Sequence, residues 1–168
     1  MKKIFFIFFN LCKYSSVLYA QEFIALNQND IQKILIAHNS ERQLVGVSNL
    51  VWDDSIANFA KDWALFLASQ NKGLKHRNHN MYGENLASFN GYDFSADFGV
   101  NLWINEKKVY KYAPIKNNEN QKAIGHYTQL VWKTSTKVGC ACVQSVSKTF
   151  YFVCNYDPPG NYIGEFPY

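Results

Sequence analysis

The chain reads as an α+β protein with its helices first and its strands last. Three features predict this. Apolar residues recur at helical spacing through the first two thirds of the sequence, and from Thr128 onward they collapse into short β-branched or aromatic runs. Nothing resembling a repeat or low-complexity linker divides the two regimes, so both belong to one segregated α+β unit.

The first twenty residues stand apart. Lys2 and Lys3 precede an apolar run from Ile4 to Phe9, and Leu18-Tyr19-Ala20 precedes Gln21. This is the pattern of a secretory signal peptide cleaved after Ala20. Lys13 interrupts the run, leaving it well short of the roughly 20 apolar residues that span a bilayer, so no integral span is expected. Bulky Phe9 and Leu11 before Cys12 do not suit a lipidation site. Of the 17 Lys and Arg residues, Lys2, Lys3 and Lys13 leave with the leader, so residues 21–168 carry 14 basic against 13 acidic side chains, a net +1. That balance offers no basic footprint for nucleic acid. Residues 21–168 have the length of a single domain and enough large apolar residues for a core. No N-x-S/T acceptor for glycosylation occurs.

Helix one is expected to open on an N-x-x-Q pattern at Asn29 and Gln32, carry Ile31, Ile34, Leu35 and His38 along one face, and stop at Gly46. Asp53 is placed to cap a second helix whose stripe is Ile56, Phe59, Ala60, Trp63 and Leu67, ending near Gly73. A third should run from about Ser95 to Tyr112, with Phe98, Leu102 and Trp103 inward. The Asn- and Lys-rich stretch from Lys116 to Lys122 is predicted to be an exposed loop. Strands are predicted at Gln129 to Trp132, Lys137 to Val143 and Thr149 to Tyr156. In the last, Phe150, Tyr151, Phe152 and Val153 leave no polar face, so it should be covered on both sides. Trp52, Trp63, Trp103 and Trp132 are expected in the core.

Three cysteines remain after the leader: Cys140, Cys142 and Cys154. Joining Cys140 to Cys154 would close a loop that chain entropy rates at roughly 3 kcal/mol. Cys140 and Cys142 are two residues apart on an expected strand and share a face, so sequence geometry alone does not exclude a bond from Cys142 to Cys154.

Several local motifs carry a resemblance. GENLA at 83–87, NEK at 105–107, GHYTQLVW at 125–132 and VCNYDPPGNYIGEFPY at 153–168, together with H-N-x-x-R at His38, Asn39 and Arg42, resemble the superfamily of cysteine-rich secretory proteins, antigen 5 and pathogenesis-related proteins, abbreviated CAP. The likeness runs from about Ile31 to Tyr168 and in its motifs is nearest to the plant pathogenesis-related type. It implies a three-layer αβα sandwich with a central antiparallel sheet between helices, a single domain over residues 21–168, and a Cys140–Cys154 disulfide. Plant members carry three disulfides, whereas here Ile124-Gly125 precedes GHYTQ and no cysteine lies just before GENLA, so a less cross-linked domain is expected.

The resemblance also implies that His76, Glu84, Glu106 and His126 converge in one cleft. Two imidazoles and two carboxylates suit Zn or another divalent metal with positions left for water. Their scattered spacing makes no local ligand motif, so their convergence rests on the fold. His79, three residues beyond His76, is the alternative first histidine. His38 and Arg42 are given structural roles: a satisfied core histidine, and an anchor from helix one to a carboxylate or to carbonyls.

No nucleophile motif such as G-x-S-x-G is present. A glycosidase pair of Glu84 and Glu106 would leave both histidines unexplained. The function expected is therefore binding, without catalysis, by a protein secreted to the extracellular space, or to the periplasm in a bacterium. The resemblance points to sterol or other lipid and a divalent metal as ligands, in a defence or host-interaction role, with apolar surface near Phe89 to Phe98 as one place for the lipid. A Zn-dependent hydrolase, with Glu84 or Glu106 as base, is the enzymatic alternative. A third reading makes residues 158–168 a releasable signalling peptide.

Overall fold

The computed structural model describes residues 22–91, 93–117 and 123–168. The predicted leader and most of the predicted 116–122 loop lie outside them. Lys116 and Asn117 are exposed, as expected.

Helix α1 spans Gln28–Leu44. Its cap is Asn27, not Asn29: the Asn27 side chain accepts from the amides of Asn29 and Asp30, and the Asp30 carboxylate accepts from the Asn27 amide. This reciprocal box outcompetes the N-x-x-Q reading because an acidic third residue also suits the positive end of the helix. Helix α2 spans Asp54–Gln70 and is capped by Asp53, whose carboxylate accepts from Ser55 and Ile56. Its buried face is Ile56, Ala60, Ala64, Leu67 and Ala68, while Phe59 and Trp63 flank it half-buried.

Helix α3 is shorter than expected, Ala96–Ile104, followed by a 3-10 turn over Asn105–Lys108. Ala96, Gly99, Val100 and Trp103 face the core, whereas Phe98 and Leu102 are 45% and 38% exposed. The correction has a steric cause. The helix lies so close to the sheet that a Cβ on Gly99 would stand 2.2 Å from Phe152 Cδ1, so the small face wins over the bulky one.

The stretch expected as a strand at Gln129 to Trp132 instead holds the end of helix α4, Gly125–Leu130, and the turn that follows it. Five strands make the sheet: β1 (Glu22–Ile24), β2 (Val51–Trp52), β3 (Gly83–Asn90), β4 (Lys137–Gln144) and β5 (Thr149–Asp157). The order is β1-β4-β5-β3 with antiparallel neighbours, and short β2 joins β4 in parallel. Of these only β4 and β5 were expected from the sequence.

Period-two alternation sorts the core into two layers. Val138, Cys140 and Cys142 of β4 and Phe150, Phe152, Cys154 and Tyr156 of β5 share a cluster with Ile34, Val100, Trp103 and Tyr127 from the helices on one side. Ala141, Val143, Tyr151 and Val153 join Ala60, Ala64, Leu67 and Ala68 of α2 on the other. This is the expected αβα sandwich, with β5 covered on both faces. Cys140 bonds to Cys154, and Cys142 is a buried free thiol. Burial holds the Cys142 thiol well above its ordinary pKa, so it stays protonated and inert. Trp103 and Trp132 are core residues, but Trp52 and Trp63 are half-buried and send their indole N–H groups to Asp54 and to the Lys75 carbonyl.

Candidate functional site

Two histidine–glutamate dyads form around one end of the sheet. At the start of β3, Glu84 accepts from His76 Nδ1 at 2.8 Å and the Arg77 amide at 3.1 Å through Oε1, and from Asn80 Nδ2 at 3.1 Å through Oε2. From the 3-10 turn, Glu106 Oε1 meets His126 Nδ1 at 2.6 Å, and its Oε2 accepts from the amides of His126 and Tyr127, each at 3.0 Å. A carboxylate only accepts, so each Nδ1 carries the hydrogen, and in the neutral ring Nε2 has the lone pair. This is the arrangement in which a carboxylate fixes the tautomer of a metal-binding imidazole.

Glu106 does a second job. Its Oε2 satisfies two of the orphan amides at the start of α4, where the residue in the cap position, Ile124, supplies no side-chain bond. A cap borrowed from twenty residues upstream is what turns a strand-like run into a helix, and local pattern could not reveal it.

The dyads differ in setting. His76 is on a loop and its side chain is 65% exposed, whereas His126 is 30% exposed, with the Trp103 ring stacked at 6.0 Å between centroids. His79, the alternative, is exposed, and His76 is the one bonded to Glu84. Each dyad is a separate pair: among the described residues no three His, Cys, Asp or Glu side chains form a group able to hold a metal ion.

A cavity of about 260 Å³ lies against the first dyad, lined by His76, Glu84, Arg77, Asn80, Gln129 and Gly160 among others. His126 and Glu106 are not in its lining; they sit at the start of the helix that supplies Gln129. Arg77 lays its guanidinium over the Phe59 ring at 3.7 Å and donates to the Phe59 carbonyl. Arg77, Asn80 and Gln129 were not picked out from the sequence, since such residues are ordinary anywhere on a surface.

A polar chain ties the second dyad to the core. Asn85 Nδ2 donates to the His126 carbonyl at 2.9 Å and to the Tyr156 hydroxyl at 3.1 Å. That hydroxyl lies 2.9 Å from His38 Nε2, and His38 Nδ1 lies 2.8 Å from the Ile34 carbonyl. Since a carbonyl accepts, Nδ1 donates and Nε2 takes the tyrosine proton. Burial lowers the His38 pKa to about 4, with Arg42 adding to the effect against the Ile34 bond. Arg42 donates to the carbonyls of Ser48, Leu130, Trp132 and Ser135, so it anchors α1 to the segment after α4. The structural roles expected of both residues hold.

A second cavity, about 280 Å³, opens between α2 and the β1–β4 edge, lined by Phe23, Leu26, Ile31, Trp52, Ala57 and Cys140 among others. Lys61 stands over the Phe23 ring, 3.9 Å from its centroid. In the Phe89 to Phe98 region, Phe89 and Phe94 both contact Phe150, and Phe89 also contacts the half-exposed Phe98. A third hollow lies between α1 and the Asn49 loop. Among the described residues no helix is long and apolar enough to cross a membrane.

A helix–sheet–helix sandwich with a His–Glu pair at the start of β3 and another at α4 defines a single class. The chain belongs to the CAP, or cysteine-rich secretory protein, family, whose model matches residues 35–156. Within it the chain is similar to plant pathogenesis-related proteins. It is 45% identical to pathogenesis-related protein 1A of Nicotiana tabacum over 84% of this chain and 82% of that one. It is 41% identical to pathogenesis-related protein 1 of Arabidopsis thaliana over 84% of each. Among solved structures, NaASP2 with Zn2+ superposes with a TM-score of 0.72 at 24% identity, covering 85% of this chain and 86% of that one. A hookworm platelet inhibitor superposes at 0.69 and 18% identity, over 89% and 80% of the two chains. At such identities these two structures speak for the fold.

Proposed function

We propose that the protein is exported and works by binding, taking a divalent metal at its histidine–glutamate site and an apolar ligand in a separate cavity, in a defence or host-interaction role. The observation that carries this reading is how both carboxylates are engaged. Glu84 and Glu106 each accept three N–H groups, one of them from an imidazole, so they orient the rings and are weakened as general bases by the hydrogen bonds that stabilise their charge. This favours holding an ion over hydrolysing a substrate.

The donor set supports a borderline ion such as zinc. A single dyad would hold it: His126 through Nε2, with water completing the shell and Glu106 behind the ring. Bound there, the ion would supply a positive centre for an anionic or carbonyl group of a partner. The solved NaASP2 structure with Zn2+ is in keeping with this chemistry for the same fold.

For the apolar ligand, the cavity beside Phe23 and Trp52 is the better fit. At about 280 Å³ it lies at the lower edge of ligand-site volumes. Lys61 stands at its mouth, which favours a fatty acid with a carboxylate head over a neutral sterol.

Native mass spectrometry of residues 21–168, incubated with zinc chloride and with oleate, tests both halves. One zinc adduct, absent from His126→Ala, and one oleate adduct, kept in His126→Ala and absent from Ala57→Phe, are expected. Spectra without either adduct would end the proposal.

A further inference from the structure

The strongest unassigned feature is a ledge built from two segments distant in sequence. Residues 109–116 and 162–168 are tied together by backbone bonds between Ile115 and Glu165 and between Gly164 and Ile115. Tyr112 is wedged between Phe166 and Tyr168, 4.9 Å from each ring centroid. Five large apolar side chains are exposed on these short stretches: Val109 at 66%, Tyr112 at 57%, Tyr162 at 48%, Ile163 at 70% and Phe166 at 38%. A core-seeking explanation does not account for such a concentration.

The exposed charge around the ledge is mostly basic. Lys108, Lys111 and Lys116 are exposed on the same strip, whereas Lys107 is already paired with Glu41 at 2.8 Å. Glu106 is consumed by His126 and the start of α4, which leaves Glu165 as the exposed acidic side chain among the described residues of the two segments. None of the three cavities described above takes a residue from the ledge. A broad apolar shelf with half-exposed tyrosines and a lysine fringe matches the headgroup zone of a bilayer, where tyrosine rings lie partly immersed and lysines meet lipid phosphates.

We propose that this ledge docks the protein onto anionic lipid bilayers. The contact is peripheral, with Val109, Tyr112, Ile163 and Phe166 entering the headgroup region and Lys108, Lys111 and Lys116 meeting anionic lipid. It is separate from both cavities, so docking needs neither metal nor a ligand in the Trp52 cavity.

Sedimentation with large vesicles decides it. Residues 21–168 are expected to pellet at low salt with vesicles of phosphatidylcholine mixed with phosphatidylserine, and to stay in solution with phosphatidylcholine alone. Each lysine removed should weaken binding about fivefold, so Lys108→Gln with Lys111→Gln should weaken it roughly 25-fold. Val109→Ser with Ile163→Ser should weaken it as well, at unchanged melting temperature, because both side chains are largely exposed. His126→Ala should bind vesicles as the parent does, which separates this result from failure of the metal reading. Equal pelleting with neutral vesicles, no pelleting at all, or indifference to the lysine pair would each overturn the proposal.

Discussion

His38 shows how one buried group sets a pH limit on the whole protein. It must be neutral to accept the Tyr156 proton while donating to Ile34, and burial, with Arg42 nearby, keeps its pKa at about 4 rather than 6.5. Between those values the unfolded chain binds a proton that the native state refuses, so stability is full above the unfolded pKa and falls as pH drops toward the folded one. The loss from this residue amounts to about 3 kcal/mol, all of it gone by the time both states are protonated. Urea unfolding across that window should show the decline, and His38→Gln should flatten it; an equal slope in the variant would assign the effect elsewhere. The roles of His38 and Arg42 were legible in the sequence because each lies on the inner face of α1, where a polar side chain must find partners. The pairing of His76 with Glu84 and of His126 with Glu106 was not, since each joins residues whose approach depends on β3 and on the 3-10 turn. Only the family likeness brought those four residues into view together, and it did so as one cluster, whereas the fold holds them as two pairs.

Elements in this protein are placed by close approach as much as by propensity. Helix α2 begins directly over β4: a Cβ on Gly139 would stand 2.1 Å from the Ala57 amide and 2.7 Å from the Asp53 carbonyl. Those are backbone atoms, so the helix start would have to move. Gly139→Ala is therefore expected to cost about 1–3 kcal/mol, as overpacking does, and to lower the urea midpoint by that loss divided by the m-value. A variant as stable as the parent would show that α2 can lift from the sheet freely. The same principle explains what the sequence hid. Apolar spacing located α1 and α2 because their stripes are long, but α3 turns its glycine face inward and α4 takes its cap from Glu106. Strand β3 escaped notice because GENLASFN mixes small and polar residues, and it is defined by pairing with β5 along its whole length.

At the scale of the molecule, one cross-link closes a fold whose sheet is built from distant parts. Cys140 and Cys154 face each other on adjacent strands, fourteen residues apart. Replacing both by serine should lower stability by roughly 3 kcal/mol on the loop-entropy estimate while leaving the far-ultraviolet circular dichroism unchanged. Unaltered stability would mean that the hairpin is already as constrained without the bond. The two-sided covering of β5 could be anticipated because Phe150 to Val153 leave no polar face, whereas the αβα layering came into view through the family likeness. The β1 and β2 pairings could not, since strands of three and two residues leave no period to read.

The sheet order has a last consequence. Strand β5 holds β3 on one side and β4 on the other, and β4 in turn pairs Gln144 with Glu22, near the opposite end of the chain. Contacts of such long range fold slowly, because the loop must close before any pairing rewards it. A chain still emerging from the ribosome therefore lacks the piece that completes its sheet until residue 157 has cleared the tunnel.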